Sequence, residues 1–264
     1  MREAIEYIGA DNLEDRAVQV HCPAPAIYIY VNTNGNDVKM IRNEKRIEFN
    51  SKCKMMDYYS GLVSMQKPIK SKIILSNNWL SFFCRNVEKL KNSDIDEYFE
   101  KTRLPEEYEW YKEFIKNNIR NIKKTKNDVV KFFLLEKPEL YRELGLENWL
   151  EKSISKRNIP KGQKGKGYPI GCTYNVKKPY TFSRMYLVEK EEGLQIKFFY
   201  DILKGLKCRG YSLLVVADGI FLPLRNGETP NVEIKGGVIL AFGIKNGVAY
   251  IEHMDTITNY NPRL

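Results

Sequence analysis

Residues 27–35 have the sequence Ile27-Tyr28-Ile29-Tyr30-Val31-Asn32-Thr33-Asn34-Gly35, and this stretch decides the fold class at the start of the chain. Its β-branched and aromatic residues favour an extended strand. Asn-Gly is a preferred dipeptide of two-residue hairpin turns, because both residues tolerate a positive φ. The sequence therefore predicts a strand, a turn and a second strand over about residues 24–49.

Helices are predicted for the middle of the chain. Pro105 and the glutamates behind it suit the first turn of a helix, which we expect to continue to about Ile122. Thr125 can cap a second helix with an apolar face at residues 129–134. Pro138 opens a third, short helix, which we expect to end near Gly145.

Strands return in the last third, after one more helix predicted over about residues 191–206. Asn226-Gly227 and Asn246-Gly247 supply two further hairpin turns. The predicted strands cover residues 213–216, 220–224, 232–234, 238–244 and 248–252. The order of elements predicts an α+β protein in which a helical block is inserted between terminal β regions.

Four segments follow from this order. Residues 1–84 are predicted to form an N-terminal β-rich region with a turn rich in lysine and asparagine. Residues 85–156 form the helical insertion, 157–176 a glycine- and lysine-rich loop, and 177–264 a C-terminal α+β region. The two terminal regions can belong to one composite domain.

The composition is that of a basic globular protein. The 264 residues include 43 Lys+Arg and 33 Asp+Glu, which gives a net charge of +10. The hydrophobic share of 43% is enough for a buried core and excludes intrinsic disorder. The basic surplus favours an anionic partner, with nucleic acid preferred over a membrane surface.

Cysteine spacing and the first residues restrict cofactor and location. The five cysteines, at positions 22, 53, 84, 172 and 208, do not have the spacing of a zinc site. We expect reduced thiols and no metal or other cofactor. The start, Met1-Arg2-Glu3-Ala4-Ile5-Glu6, is charged where a signal peptide is apolar, and no apolar run reaches the roughly 18 residues of a membrane span. The sequence therefore predicts a soluble cytoplasmic protein without membrane contact.

One catalytic pattern is present. Asp218 closes a predicted strand, and Glu233-Ile234-Lys235 lies on the next predicted strand but one. The pattern is similar to the restriction-type nuclease core, in which two carboxylates hold Mg²⁺ and the lysine helps to activate water. Glu233 and Lys235 would share one strand face because they are two residues apart. The alternative, which we favour for so short a pattern, is that all three are solvated charges at strand ends.

Two basic segments are typical of nucleic-acid contacts. Lys161, Lys164 and Lys166 stand among glycines, whose backbone can approach phosphates while the ammonium groups neutralise them. The alternative for this loop is a solvated linker. Further along, Lys177-Lys178 and Arg184 alternate with aromatic residues, as in a strand that stacks bases. There the alternative is one face of the core.

Three motifs follow one another between residues 57 and 83. They are Asp57-Tyr58-Tyr59-Ser60, then Gln66-Lys67-Pro68-Ile69-Lys70-Ser71-Lys72-Ile73, then Ser76-Asn77-Asn78-Trp79-Leu80-Ser81-Phe82-Phe83. In order and spacing they resemble the N-terminal portion of the Cas8b family, the large subunit of type I-B CRISPR Cascade complexes. A weaker likeness covers residues 177–203. Gln66 stands where the family pattern has asparagine, and the chain ends at Leu264 before the family's C-terminal helical bundle, so the resemblance implies a compact or split form.

The resemblance implies a DNA-binding subunit without catalytic activity or cofactor. In such complexes a guide RNA reads the target by base pairing, and the protein reads a short flanking motif in duplex DNA. The implied partners are double-stranded target DNA, the guide RNA, Cas5-like and Cas7-like subunits, and a small subunit where one replaces the bundle.

The resemblance also assigns site residues. Asn77 and Asn78 are candidates for reading the flanking motif, because asparagine both donates and accepts hydrogen bonds at base edges. The alternative is that they form a turn or cap the following helix. Lys67, Lys70 and Lys72 are candidates for phosphate contacts.

Overall fold

The computed structural model describes residues 1–33, 38–43, 50–62, 69, 73–122, 128–153, 168–169, 187–245 and 247–262. Helices and sheets both contribute, which confirms the predicted α+β class. The chain divides into a central unit, Pro23–Ser153, and a terminal unit that combines Met1–Cys22 with Ile154–Leu264. Within the described ranges, no helix combines the length and the apolar character needed to cross a membrane.

Seven helices and ten strands are described in chain order. The helices are α1 (Arg2–Ile8), α2 (Leu13–Val20), α3 (Ser51–Ser60), α4 (Asn92–Lys101), α5 (Glu109–Asn118), α6 (Pro138–Ser153) and α7 (Lys190–Cys208). The strands are β1 (Ala26–Asn32), β2 (Val38–Asn43), β3 (Ser81–Cys84), β4 (Val130–Leu135), β5 (Tyr168–Pro169), β6 (Leu187–Val188), β7 (Leu213–Ala217), β8 (Ile220–Leu224), β9 (Gly237–Lys245) and β10 (Val248–Ile257).

The central unit is built on a four-stranded sheet with the order β2-β1-β4-β3. Strand β1 pairs antiparallel with β2, which confirms the predicted hairpin, although Asn34-Gly35 lies outside the described residues. Strand β4 pairs parallel with β1 and antiparallel with β3. Nearly every residue of β1 and β4 is buried, so both faces of the sheet are covered at its centre.

The helix predicted with its apolar face at residues 129–134 is wrong, because this stretch forms strand β4. A strand with both faces buried is apolar throughout and loses the alternation that identifies a half-buried strand. Such a short run cannot be distinguished from a buried helix by periodicity. Thr125, the predicted cap, lies outside the described residues.

The two other helices predicted in the central unit are present, and one of them is longer than predicted. The helix expected over residues 105–122 is confirmed as α5 with a 3₁₀ turn at each end. Helix α6 begins at Pro138 as predicted but continues past Gly145 to Ser153. Gly145 is not a helix end, because it packs against α3, where an added Cβ would lie only 2.8 Å from the Cβ of Tyr59.

The terminal unit contains an antiparallel sheet with the order β10-β9-β7-β8. Helix α7, which confirms the helix predicted over 191–206, contacts β9 and β10, and α1 contacts β7 and β9. The predicted strand at 232–234 is wrong. Only Ile234 pairs there, in an isolated bridge to Tyr260, because its neighbours on both sides are exposed and make no ladder.

The structure joins segments that the sequence separated. Strands β3 and β4 pair across the predicted border at residues 84/85, so this border falls inside one sheet. The first 22 residues belong with the C-terminal region, whereas the rest of the predicted N-terminal region belongs to the central unit.

Candidate nucleic-acid interface

The basic side chains predicted to contact phosphates lie outside the described residues. They are Lys67, Lys70, Lys72, Lys161, Lys164, Lys166, Lys177, Lys178 and Arg184. The structure describes the chain on either side of them, and so shows where each basic segment is attached.

Within the lysine-rich segment of residues 67–72, the structure describes Ile69, and after the segment it describes the chain from Ile73. Ile69, between Lys67 and Lys70, is buried. Directly after the segment, the backbone N–H of Arg85 donates to the carbonyl of Ile73 at 3.0 Å, and that of Leu75 donates to Phe83 at 2.8 Å. Residues 73–75 therefore lie beside β3.

The two asparagines predicted to read DNA lie in the interior of the central unit, each only 2% exposed. The Asn78 Oδ1 accepts a hydrogen bond from the Ser81 hydroxyl at 3.2 Å. The Asn78 Nδ2 is buried and has no hydrogen-bond partner among the described residues. A base edge cannot reach either side chain in this arrangement, so the geometry favours the alternative role of Asn77 and Asn78 as turn residues.

The Tyr98 side chain of α4 holds this turn in place by hydrogen bonds. Its buried hydroxyl lies 2.7 Å from the carbonyl oxygen of Asn78 and 2.8 Å from that of Ser81. It also lies 2.8 Å from the Ser76 Oγ, which accepts the backbone N–H of Phe83. Burial raises the pKa of the Tyr98 hydroxyl well above its ordinary value, because the phenolate would lose its hydration.

The same turn is fixed again at the carbonyl oxygen of Leu80. This oxygen accepts hydrogen bonds from the Leu134 backbone N–H and the Tyr141 hydroxyl, both at 2.9 Å. The Tyr111 hydroxyl approaches it at 3.4 Å. Burial also raises the pKa of Tyr111 and Tyr141. The turn that carries the Asn-Asn pair is thus a packed part of the core.

A buried ion pair joins the first motif to the sheet. The Lys131 Nζ of β4 lies 2.5 Å from the Asp57 Oδ1 of α3 and donates to the Tyr28 hydroxyl at 3.3 Å. The ammonium lies 5.0 Å from the centre of the Tyr28 ring and 4.8 Å from that of Phe83, which are cation–π distances. Sequence reasoning missed this pair, although a lone lysine in an apolar run was a signal, since a buried charge needs a partner.

The residues of the nuclease alternative lie at exposed positions of the terminal unit. Asp218 follows β7 in the turn to β8, and Glu233 and Lys235 flank the buried Ile234 outside any strand. The prediction that Glu233 and Lys235 lie on a strand is therefore wrong. Both residues are nevertheless exposed, while Ile234 between them is buried. Among the residues that the structure places, no three His, Cys, Asp or Glu side chains are grouped to hold a metal.

The largest concentration of positive charge lies between residues 154 and 188. These residues include eight Lys and Arg and no Asp or Glu, whereas the rest of the chain has 35 basic and 33 acidic residues. Strands β5 and β6 pair antiparallel within this stretch, and β5 contacts α7. The described residues on either side of Lys177, Lys178 and Arg184 in the sequence, Tyr168–Pro169 and Leu187–Val188, are therefore paired with each other.

Comparison with known proteins does not add a relative, since the chain matches no family model, no curated protein and no solved structure.

Proposed function

We propose that the chain is a non-catalytic, DNA-binding, Cas8b-like subunit of an RNA-guided type I-B surveillance complex. It would recognise the duplex that flanks the target and hold nucleic-acid backbones through its basic segments. Its partners would be target DNA, guide RNA, Cas5-like and Cas7-like subunits and, in some complexes, a small subunit.

The observation that carries the proposal is the distribution of charge. Eight of the ten surplus positive charges come from residues 154–188, and the remainder of the chain is nearly neutral. A protein that is basic only for solubility needs no such concentration. Phosphate backbones, in contrast, are bound by clustered cations that displace condensed counterions.

The packing of the three motifs also supports the proposal. Asp57 of the first motif pairs with Lys131, whose ammonium contacts the ring of Phe83 in the third motif. Ile69 of the second motif is buried in the same unit. The described residues of the three motifs thus belong to one compact unit.

The experiment that tests the proposal is isolation of the chain from its native host. We expect mass spectrometry to detect Cas5-like and Cas7-like proteins with the tagged chain, and sequencing to detect a short RNA carrying a spacer. A chain that purifies alone and free of RNA would overturn the proposal.

A cleavage assay separates this function from that of a nuclease. Labelled duplex DNA is incubated with the protein and Mg²⁺, with EDTA as the control. We expect no metal-dependent cleavage, and unchanged DNA binding in Asp218→Asn and Glu233→Gln. Cleavage by the wild type that either substitution abolishes would establish the nuclease instead.

A further inference from the structure

A second group of cations, not predicted from the sequence, lies on described residues at the end of β3. Beyond Cys84 the chain continues through Arg85 and a 3₁₀ turn, Val87–Lys89, to Lys91 at the start of α4. Arg85, Lys89 and Lys91 are exposed, whereas Val87 between them is buried and anchors the turn.

A fourth cation joins them from another part of the chain. The 3₁₀ turn Ile119–Asn121, which follows α5, contacts the turn Val87–Lys89. Its exposed Arg120 donates from Nη2 to the Asn92 Oδ1 at 3.3 Å, at the first residue of α4. We call Arg85, Lys89, Lys91 and Arg120 the β3 basic patch.

The cations of the β3 basic patch differ in their partners from three lysines of the neighbouring helices α4 and α5. None of the four forms an ion pair with any residue that the structure describes. Lys101, Lys112 and Lys116 on α4 and α5 are all paired with carboxylates, and Lys116 lies 2.6 Å from Asp96. The charges of the patch are thus available to an external anion.

Two carboxylates belong to the same surface. The Asp94 Oδ2 accepts the backbone N–H of Lys91 at 3.0 Å and so stabilises the first turn of α4. Glu88 lies within the 3₁₀ turn, between the cations. The four cations outnumber these two acids.

Two basic segments of the sequence adjoin described residues near the patch. Ile73, whose carbonyl accepts the Arg85 N–H, directly follows Lys72 in the chain. Residues 123–127 follow Arg120 closely and include three lysines and no acid. These residues lead into β4, whose Val130 pairs with Cys84, so both segments are attached at the same end of the sheet.

We propose that the β3 basic patch binds the sugar–phosphate backbone of duplex DNA. This inference rests on the proposed function and names a surface of the central unit for it. Cations that point into solvent without a carboxylate partner neutralise phosphates, position the protein on the duplex and carry no sequence information. The patch therefore contributes affinity and leaves the choice of flanking motif unchanged.

The test compares two triple variants of the full-length chain that lose the same net charge. Arg85→Gln/Lys89→Gln/Arg120→Gln removes three patch cations, and Lys101→Gln/Lys112→Gln/Lys116→Gln removes three paired ones. Affinity for a duplex of arbitrary sequence is measured across a salt titration. Each lost phosphate contact lowers the slope of log affinity against log salt by about 0.9, so we expect the patch variant to lose up to about 2.7. The control variant should keep the wild-type slope.

Further arms separate the outcomes. Arg85→Lys/Arg120→Lys keeps the charge and should keep the slope. A smaller slope in the glutamine variant is then attributed to the lost charge and not to the change of side chain at these positions. Equal slopes in the two triple variants would overturn this inference alone, provided that the wild type binds duplex DNA. A wild type without salt-dependent binding would overturn the proposed function as well. A slope lost only with single-stranded RNA of equal length would assign the patch to RNA and overturn the duplex assignment.

Discussion

The Asp57 carboxylate of α3 lies 2.5 Å from the Lys131 ammonium of β4, and neither side chain is more than 10% exposed. The pair connects the first family-like motif to the strand at the centre of the four-stranded sheet. Its two members are far apart in the sequence, so it can form only when α3 packs on the completed sheet.

Removing one partner of this pair should destabilise the folded protein. Lys131→Met removes the cation that faces the buried Asp57 carboxylate, so we expect the free energy of unfolding to fall by about 3–5 kcal/mol. The double variant Asp57→Leu/Lys131→Met should recover most of the loss, because no uncompensated charge remains. Urea denaturation followed by circular dichroism measures both.

Lys101→Met is the matched control for that measurement. Lys101 forms an exposed pair with Glu97 on α4, and such pairs contribute only about 0–1 kcal/mol. A loss in Lys131→Met no larger than that in Lys101→Met would contradict the structural role of the buried pair.

Stability should fall in alkaline solution. Burial raises the pKa of Tyr98, Tyr111 and Tyr141 above the unfolded value of about 10. A raised folded-state pKa means that the folded protein holds these protons more tightly than the unfolded chain. The stabilisation is therefore fully present below about pH 10 and is lost as the pH rises further.

Melting temperatures measured between about pH 8 and about pH 11 check this expectation. Tyr111→Phe removes a hydroxyl group whose pKa is raised and which makes only a weak hydrogen bond. The melting temperature of this variant should therefore fall less steeply with pH than that of the wild type. Tyr250→Phe, at an exposed position, should follow the wild-type curve more closely. Identical curves for all three proteins would show that burial of Tyr111 does not govern the alkaline transition.

The Asn-Asn turn should affect stability rather than sequence preference. Asn78→Ala removes one hydrogen bond from Ser81 and also a buried donor without a partner, so we expect a change of about 1 kcal/mol or less. Asn77→Ala and Asn78→Ala should leave the ratio of affinities for duplexes with the native and a scrambled flanking motif unchanged.

Ser76→Ala is the control for that turn, because it removes the acceptor of the Phe83 N–H inside the core and should cost about 1–3 kcal/mol. Competition binding measures the affinities. If either asparagine substitution lowers the binding free energy by about 1–3 kcal/mol on the native motif alone, these residues contact bases directly.

The glycine- and lysine-rich loop should contribute to the salt dependence of DNA binding. Changing Lys161, Lys164 and Lys166 together to glutamine should flatten the slope of log affinity against log salt by about 2.7 in the assembled complex. Over a fourfold rise in salt, the ratio of the wild-type affinity to that of the variant should therefore change by about 40-fold. The sequence preference should not change.

The triple variant of Lys101, Lys112 and Lys116 serves as the charge-matched control for the loop. An unchanged slope in the loop variant would identify residues 161–167 as a solvated linker. The phosphate contacts would then have to come from the β3 basic patch, from Lys67–Lys72 or from Lys177–Arg184.

The sequence predicted those parts of the fold that depend on neighbours along the chain. The β1–β2 and β9–β10 hairpins, helix α5 and helix α7 all follow from turn dipeptides, a proline at a helix start and apolar spacing within one element. Candidate site residues were harder to predict, because the sequence gives the type of each residue but not its exposure to solvent. Asn77 and Asn78 have the right chemistry for base edges, yet both are buried.

By itself the sequence determined the α+β class, the basic surplus and the local hairpins and helices, because each is set by composition or by interactions over a few residues. Only the tertiary structure decided that residues 130–135 form a central strand, that the first 22 residues belong with the C-terminal region, and that Asp57 meets Lys131. The physical reason is that a strand buried on both faces has no local periodicity. Its partner strands, and the partner of any charge that it carries, are selected by packing between residues far apart in the chain.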